Sequence, residues 1–219
     1  MIISKTIFIN ILKQLHQSNP NPKIELDYLN DYTLMVAIIL SAQSTDKGVN
    51  KATKALFAIV QTPEDMVQLG EEGLKSYIKS IGLYNSKGKN IIAMSKVLID
   101  QHQGILPSDR KELMALPGIG RKSANVFLNS IYKIPTIGVD THVMRVSNRI
   151  GFCNESKPEK VEFALESLCN EYSIDLDWKL KLHHWLVLHG RYTCIAKKPK
   201  CHECKISQYC KLYQENKNL

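Results

Sequence analysis

Apolar residues recur along this chain at three- and four-residue spacing, not in alternation. Phe8, Ile11, Leu12 and Leu15 form one such face near the N-terminus. Ile91, Ile92, Met94, Leu98 and Ile99 form another, with Ser95 tolerated among them, and Val161, Phe163, Ala164, Leu165 and Leu168 a third. Leu34–Leu40 is a continuous apolar run behind Asp31, which reads as its N-cap. Thr62-Pro63-Glu64-Asp65 supplies a cap, a proline at the first helical position and acids in the first turn. Asp109–Glu112 and Ser156–Glu159 both have capping-box spacing. No segment alternates with period two over six residues. The pattern predicts an all-α protein of about ten short helices.

No internal repeat or low-complexity segment interrupts the chain. With 219 residues there is enough chain for one large domain or two small ones. The proline-bearing stretches Asn19–Lys23 and Lys133–Val139 are the best boundaries. They predict a helical domain over 22–135, with 1–21 and 136–219 combining into a second. Leu34–Leu40 is far shorter than the ~20 residues needed to span a bilayer. The N-terminus has neither a continuous apolar core nor a small-residue cleavage site, so the expected setting is the cytosol or the nucleoid, with no membrane partner.

Composition changes the picture mainly through charge. Lys and Arg outnumber Asp and Glu by 29 to 21, a formal +8 with pI near 9.1, while apolar content (44%) and charge (23%) are those of a folded globular protein. A basic surface favours a polyanionic partner without distinguishing DNA from RNA or anionic lipid. The stretch Trp185–Leu219 alone carries +5.

Two stretches carry candidate chemistry. In Leu116-Pro117-Gly118-Ile119-Gly120-Arg121-Lys122-Ser123-Ala124-Asn125-Val126, two glycines flank one apolar residue ahead of a helical run. Gly118 and Gly120 can take backbone angles closed to other residues and turn N–H groups toward an outside oxygen; a helix N-terminus behind them adds donors suited to phosphate. Lys122 then lies in the first helical turn, its ammonium set against the helix dipole. Taken alone, such a lysine is a phosphate contact.

The other stretch holds Cys194, Cys201, Cys204 and Cys210, spaced C-x6-C-x2-C-x5-C. Without a secretion signal a disulfide framework is disfavoured. Zinc sites usually offer two close cysteine pairs, whereas only one C-x2-C occurs here, so four thiolates in one loop suit an iron–sulfur cluster better than zinc. A [4Fe–4S] cluster on four thiolates would bring the formal charge from +8 to about +6. Cys153 and Cys169 lie outside this pattern and read as small buried side chains. His142, His183, His184 and His189 read as packing, capping or phosphate-facing residues, since adjacent histidines point to different helix faces.

These residues together carry a resemblance. Leu40-Ser41-Ala42-Gln43-Ser44-Thr45-Asp46, residues 49–53, 81–87 and 116–126, Val139-Asp140-Thr141-His142 through Arg149, and 183–201 occur in the order found in the endonuclease III family of the helix-hairpin-helix superfamily. The resemblance runs nearly end to end. It implies two helical domains with a DNA-binding groove between them, a helix-hairpin-helix motif and a C-terminal [4Fe–4S] loop held by Cys194, Cys201, Cys204 and Cys210.

The activity implied is base-excision repair of duplex DNA carrying damaged pyrimidines or abasic sites, by a monomer. Lys122 would be the Schiff-base nucleophile and Asp140 its partner carboxylate, capping the helix that begins at Thr141. Gly118 and Gly120 would donate to phosphate, and Lys197, Lys198 and Lys200 would meet the DNA backbone. Gln43 and Leu83 would enter the space left by the flipped nucleotide, although Leu83 alone reads as core. Two alternatives stand beside this. An adenine-specific mismatch glycosylase would need a glutamate where Ile38 stands, and usually a further domain where this chain stops nine residues after Cys210. A non-catalytic DNA-binding module would use the hairpin only to grip phosphate, with zinc on the cysteines.

Overall fold

The structure is a computed structural model that describes residues 3–217, with the side chain of 217 excepted. Among the described residues it holds eleven α-helices, one 3-10 turn and no strand. The chain divides into two compact units, Glu25–Lys133 and Met1–Ile24 with Ile134–Leu219.

The unit Glu25–Lys133 contains α2 (Asp31–Ser41), α3 (Asp46–Leu56), α4 (Pro63–Ile78), α5 (Tyr84–His102), α6 (Arg110–Ala115) and α7 (Arg121–Ser130). Helix α2 is its axis: every residue from Tyr32 to Leu40 is buried, and it packs on α3, α5 and α7. Such an all-round apolar sequence fits a helix with neighbours on every side. Its cap is Asn30, not Asp31. The Asn30 side chain accepts from the Thr33 N–H at 2.9 Å while Thr33 Oγ1 accepts from the Asn30 N–H at 2.9 Å. Helix α4 begins as its sequence predicts, with Thr62 and Asp65 bonded reciprocally, and is kinked at Gly70 before pairing with α5.

The other unit is built from α1 (Lys5–Ser18), α8 (Thr141–Ile150), α9 (Pro158–Glu171), α10 (Leu176–Tyr192) and α11 (Lys211–Lys217). The predicted face of α1 is buried in full, with the Phe8 ring 4.9 Å from Phe152 and 5.7 Å from Tyr172. The Trp185 indole N–H donates to the Asn19 carbonyl at 2.8 Å, fastening the end of α1 to α10. Helices α8 and α10 pack closely because Gly190 allows it: a Cβ there would lie 2.8 Å from the His142 Cβ. Two expectations fail in this unit. Ser156 is not the cap of α9; the helix starts after Lys157 with Pro158, whose fixed φ sets the first turn without a side-chain bond. Phe163, placed on the apolar face, is 71% exposed, while Val161, Leu165 and Leu168 are buried as expected.

Candidate functional site

In the unit Glu25–Lys133 the glycine stretch forms the turn between α6 and α7. Asp109 caps α6, its Oδ1 accepting from the Lys111 and Glu112 N–H groups at 2.7 and 3.1 Å. Leu116 and Ile119 are buried and joined by an Ile119 N–H to Leu116 carbonyl bond of 3.2 Å, so apolar side chains pin the turn from inside. Gly118 and Gly120 stay exposed. Gly118 adopts φ 81°, and a Cβ there would stand 2.9 Å from the Asn90 Cβ of α5, so both backbone and packing require glycine.

Gly120 departs from the sequence reading. At φ −97° and ψ 175° it is extended backbone open to any residue, and a Cβ on it would meet nothing within 4 Å. What Gly120 contributes is an open approach. It is the N-cap of α7, and no side chain caps that helix, an arrangement whose first-turn N–H donors suit an anion. Lys122 is half-buried in this first turn.

Two further loops of the same unit carry Gln43 and Leu83. Both residues have left-handed backbone, φ 54° and 60°, and both are exposed, Leu83 to 58%. Leu83 is therefore not core. A non-glycine residue held in this region stores backbone strain, as Gln103, Lys133 and Ser173 also do. The two loops adjoin, since a Cβ on Gly82 would lie 3.6 Å from the Gln43 carbonyl oxygen.

In the other unit Asp140 caps α8. Its Oδ1 accepts from the His142 and Val143 N–H groups, both at 2.8 Å, so the cap does not occupy Oδ2. Further along α8, Arg145 donates to the carbonyls of Cys194 at 3.1 Å and Gly190 at 2.8 Å. One turn on, Arg149 donates to the carbonyls of Ile195 at 2.9 Å and Ala196 at 2.7 Å, and its Nη1 lies 3.6 Å from Cys194 Sγ. The helix that Asp140 caps thus holds the start of the cysteine loop with two guanidinium groups. Motif reading missed both arginines. Their i, i+4 spacing was the available signal, but their acceptors lie about fifty residues away in sequence.

Cys194, Cys201, Cys204 and Cys210 line one cavity whose remaining walls include Ile150, Ile206 and Leu212. Cys153 and Cys169 are elsewhere, half-buried and buried. Four thiols around one apolar-walled hollow fit a [4Fe–4S] cluster. Burial pushes the Cys204 thiol up to about 11 and raises Cys210, with the neighbouring cysteines adding to both. Coordination to iron, which removes the thiol proton, would supply the thiolate charge. Burial pushes His189 down to about 4, keeping its ring neutral 3.7 Å from Cys204 Sγ. Lys197, Lys198 and Lys200 are exposed in this loop, which a Lys200 N–H to Thr193 carbonyl bond of 2.9 Å closes.

With this geometry in view, residues 36–171 match the model of the HhH-GPD superfamily base excision DNA repair proteins, and residues 194–210 match the iron–sulfur binding domain of endonuclease III. The chain is 56% identical over 203 residues to endonuclease III of Rickettsia conorii, covering 93% of this chain and 94% of that protein. Among solved structures it is similar to a non-covalent endonuclease III–DNA complex, with a TM-score of 0.91, 38% identity and all of both chains covered. It is similar also to a trapped endonuclease III–DNA covalent intermediate, with a TM-score of 0.90 and 38% identity over 99% of this chain and 100% of that one.

Proposed function

The chain belongs to the endonuclease III family of HhH-GPD base excision DNA repair proteins, and from that premise we propose how its own residues divide the work. It is a bifunctional enzyme, a DNA glycosylase and an AP lyase, with a [4Fe–4S] cluster. Its substrates are damaged pyrimidines and abasic sites in duplex DNA, met by a monomer in the cytoplasm, on nucleoid DNA.

A base inside a duplex must first leave the stack. Gln43 and Leu83 fill the space it vacates, one polar and one apolar side chain presented from strained, exposed loops. Gly118 and Gly120 donate backbone N–H groups to phosphate beside the lesion, which fixes register without reading sequence. Lys197, Lys198 and Lys200 add backbone contacts from the cysteine loop. The cluster, when bound to the four cysteines, cross-links that loop through its iron–thiolate bonds.

Lys122 is the nucleophile. Its neutral amine attacks C1′, the bond to the base breaks, and the base departs with a proton. Opening of the sugar ring leaves an iminium between Nζ and C1′. The iminium acidifies the C2′ proton; its removal drives β-elimination, which breaks the C3′–O bond and expels the 3′ phosphate. Water then hydrolyses the iminium and returns Lys122. Asp140 stabilises the positive charge that develops on the sugar and accepts a proton, work for which Oδ2 is not engaged by the cap.

The observation that carries this reading is Lys122 itself, half-buried in the first turn of a helix that no side chain caps, two residues behind the open Gly120. Borohydride reduction in the presence of abasic duplex should yield a covalent protein–DNA species with wild type and none with Lys122→Ala. Equal trapping by both would reject Lys122 as the nucleophile. The adenine-mismatch alternative finds no support at Ile38, which is a buried apolar residue of α2.

A further inference from the structure

Lys87 is 5% exposed, an unusual place for an ammonium group, and neither the chemistry nor the cluster uses it. Its three N–H donors meet three acceptors. Nζ lies 2.9 Å from the Leu40 carbonyl oxygen, 2.6 Å from that of Ala42 and 3.2 Å from Ser44 Oγ. These partners bracket Gln43 on both sides.

The end of α2 is satisfied group by group. The Ile38 carbonyl accepts from Ser41 Oγ at 2.8 Å, that of Ile39 from the Ala42 N–H at 3.4 Å, and that of Ser41 from the Ser44 N–H at 3.1 Å. The Leu40 and Ala42 carbonyls fall to Lys87. A cation at a helix C-terminus is well placed against the dipole. Burial nonetheless pushes its pKa down. Buried charges can often be replaced by apolar groups of similar volume without loss of stability. Stability alone therefore gives little reason to keep an ammonium here, whereas fixed geometry does.

The backbone of Lys87 reaches the second loop. Its N–H donates to the Leu83 carbonyl at 3.0 Å, closing the first turn of α5 directly behind Leu83, and Ser86 Oγ donates to the same oxygen at 3.0 Å. One residue thus holds the backbone on either side of Gln43 with its side chain and the backbone of Leu83 with its amide.

We propose that Lys87 is a positioning residue for nucleotide extrusion: it ties the Gln43 loop to the start of α5, so that Gln43 and Leu83 enter the duplex as one preformed unit. The proposal rests on the reading of Gln43 and Leu83 as the residues that fill the vacated space. Preorganised loops act without a conformational search, and a misplacement of about 1 Å can cost on the order of a hundredfold in rate.

The test compares full-length wild type, Lys87→Met, Gln43→Ala/Leu83→Ala and the triple variant. Single-turnover base release is measured on a duplex containing thymine glycol, and strand cleavage on a single-stranded abasic oligonucleotide that needs no extrusion. Lys87→Met should slow base release from duplex about ten- to a hundredfold. It should leave single-stranded cleavage within about twofold, and slow the triple variant by less than about twofold beyond Gln43→Ala/Leu83→Ala. Equal loss on both substrates, or a full additional loss in the triple variant, overturns the positioning role. If Gln43→Ala/Leu83→Ala itself leaves duplex base release unchanged, the reading of those two residues fails instead. Should Lys87→Met not yield folded protein, Ser44→Ala removes one of the three acceptors and should give a smaller loss confined to duplex; no such loss overturns the proposal.

Discussion

Gly190 of α10 and His142 of α8 approach so closely that a single added Cβ would stand 2.8 Å from the His142 Cβ and 3.1 Å from Val146 Cγ2. Both obstacles sit on a packed helix, so the contact cannot be relieved by one rotamer. Gly190→Ala should destabilise the protein by about 1–3 kcal/mol, an overpacking cost read as a lower melting temperature in calorimetry. An unchanged midpoint would mean that α8 and α10 can separate freely.

Asp140 does two separable jobs. Asparagine is as good an N-cap as aspartate, whereas alanine costs about 1 kcal/mol at such a position. Asp140→Asn should therefore keep the melting temperature and DNA binding while lowering turnover about 10²–10⁴-fold. Asp140→Ala should lose a comparable amount of activity and some stability as well. Equal turnover for Asn and Asp would leave Asp140 a cap only.

Leu83 should reveal a trade between stability and activity. Its φ of 60° costs a leucine roughly 1–2 kcal/mol that a glycine does not incur, and its exposed side chain contributes little packing in return. Leu83→Gly should unfold at the same or a higher temperature than wild type and yet release bases from duplex more slowly. A variant both less stable and equally active would contradict both halves of this account.

The loop lysines should act through phosphate charge. For each of Lys197, Lys198 and Lys200 that contacts the backbone, substitution by alanine should reduce the slope of log affinity against log salt by about 0.9, irrespective of sequence. Filter-binding or anisotropy titrations over a range of salt check this. An unchanged slope in the triple alanine variant would make these residues a solvated loop.

Acid should weaken the cap of α6. Backbone N–H groups of Glu112 and Lys111 hold the Asp109 carboxyl below the usual carboxylate range. A carboxyl depressed on folding contributes stability that is present above the unfolded value, about 3.9, and is lost as pH falls through the folded one. Asp109→Asn keeps the cap and should flatten that part of the acid limb in thermal melts below about pH 4. An identical acid limb would place the sensitivity elsewhere.

What the sequence disclosed follows the range of the interactions involved. Thr62, Asp109 and Asp140 could be read as caps because the N–H groups that donate to them lie two or three residues ahead. Asn30 was missed because its reciprocal partner is Thr33, where a glutamate or glutamine is the usual signal. Ser156 misled because Pro158 can open a helix with no side-chain bond. Gly120 carried the right residue type for a conformation it does not adopt. Leu83 read as core because an apolar residue ordinarily is; its exposure depends on a left-handed turn that no periodicity announces. Lys87, Arg145 and Arg149 lay beyond reach, since each bonds to carbonyls more than forty residues distant, and the i, i+4 spacing of the two arginines names no partner.

Helix α2 also bears on how the protein must be made. Tyr32 to Leu40 has no face suited to water, yet α7, one of its covers, is complete only some ninety residues later. At ribosomal rates of about 5–20 residues per second, that apolar segment emerges roughly five to twenty seconds before its last neighbour. During that interval it carries no charge and no proline from Tyr32 to Leu40 to discourage association with other nascent chains. The axis around which the finished unit is packed is thus the segment most in need of shelter while the chain is still being synthesised.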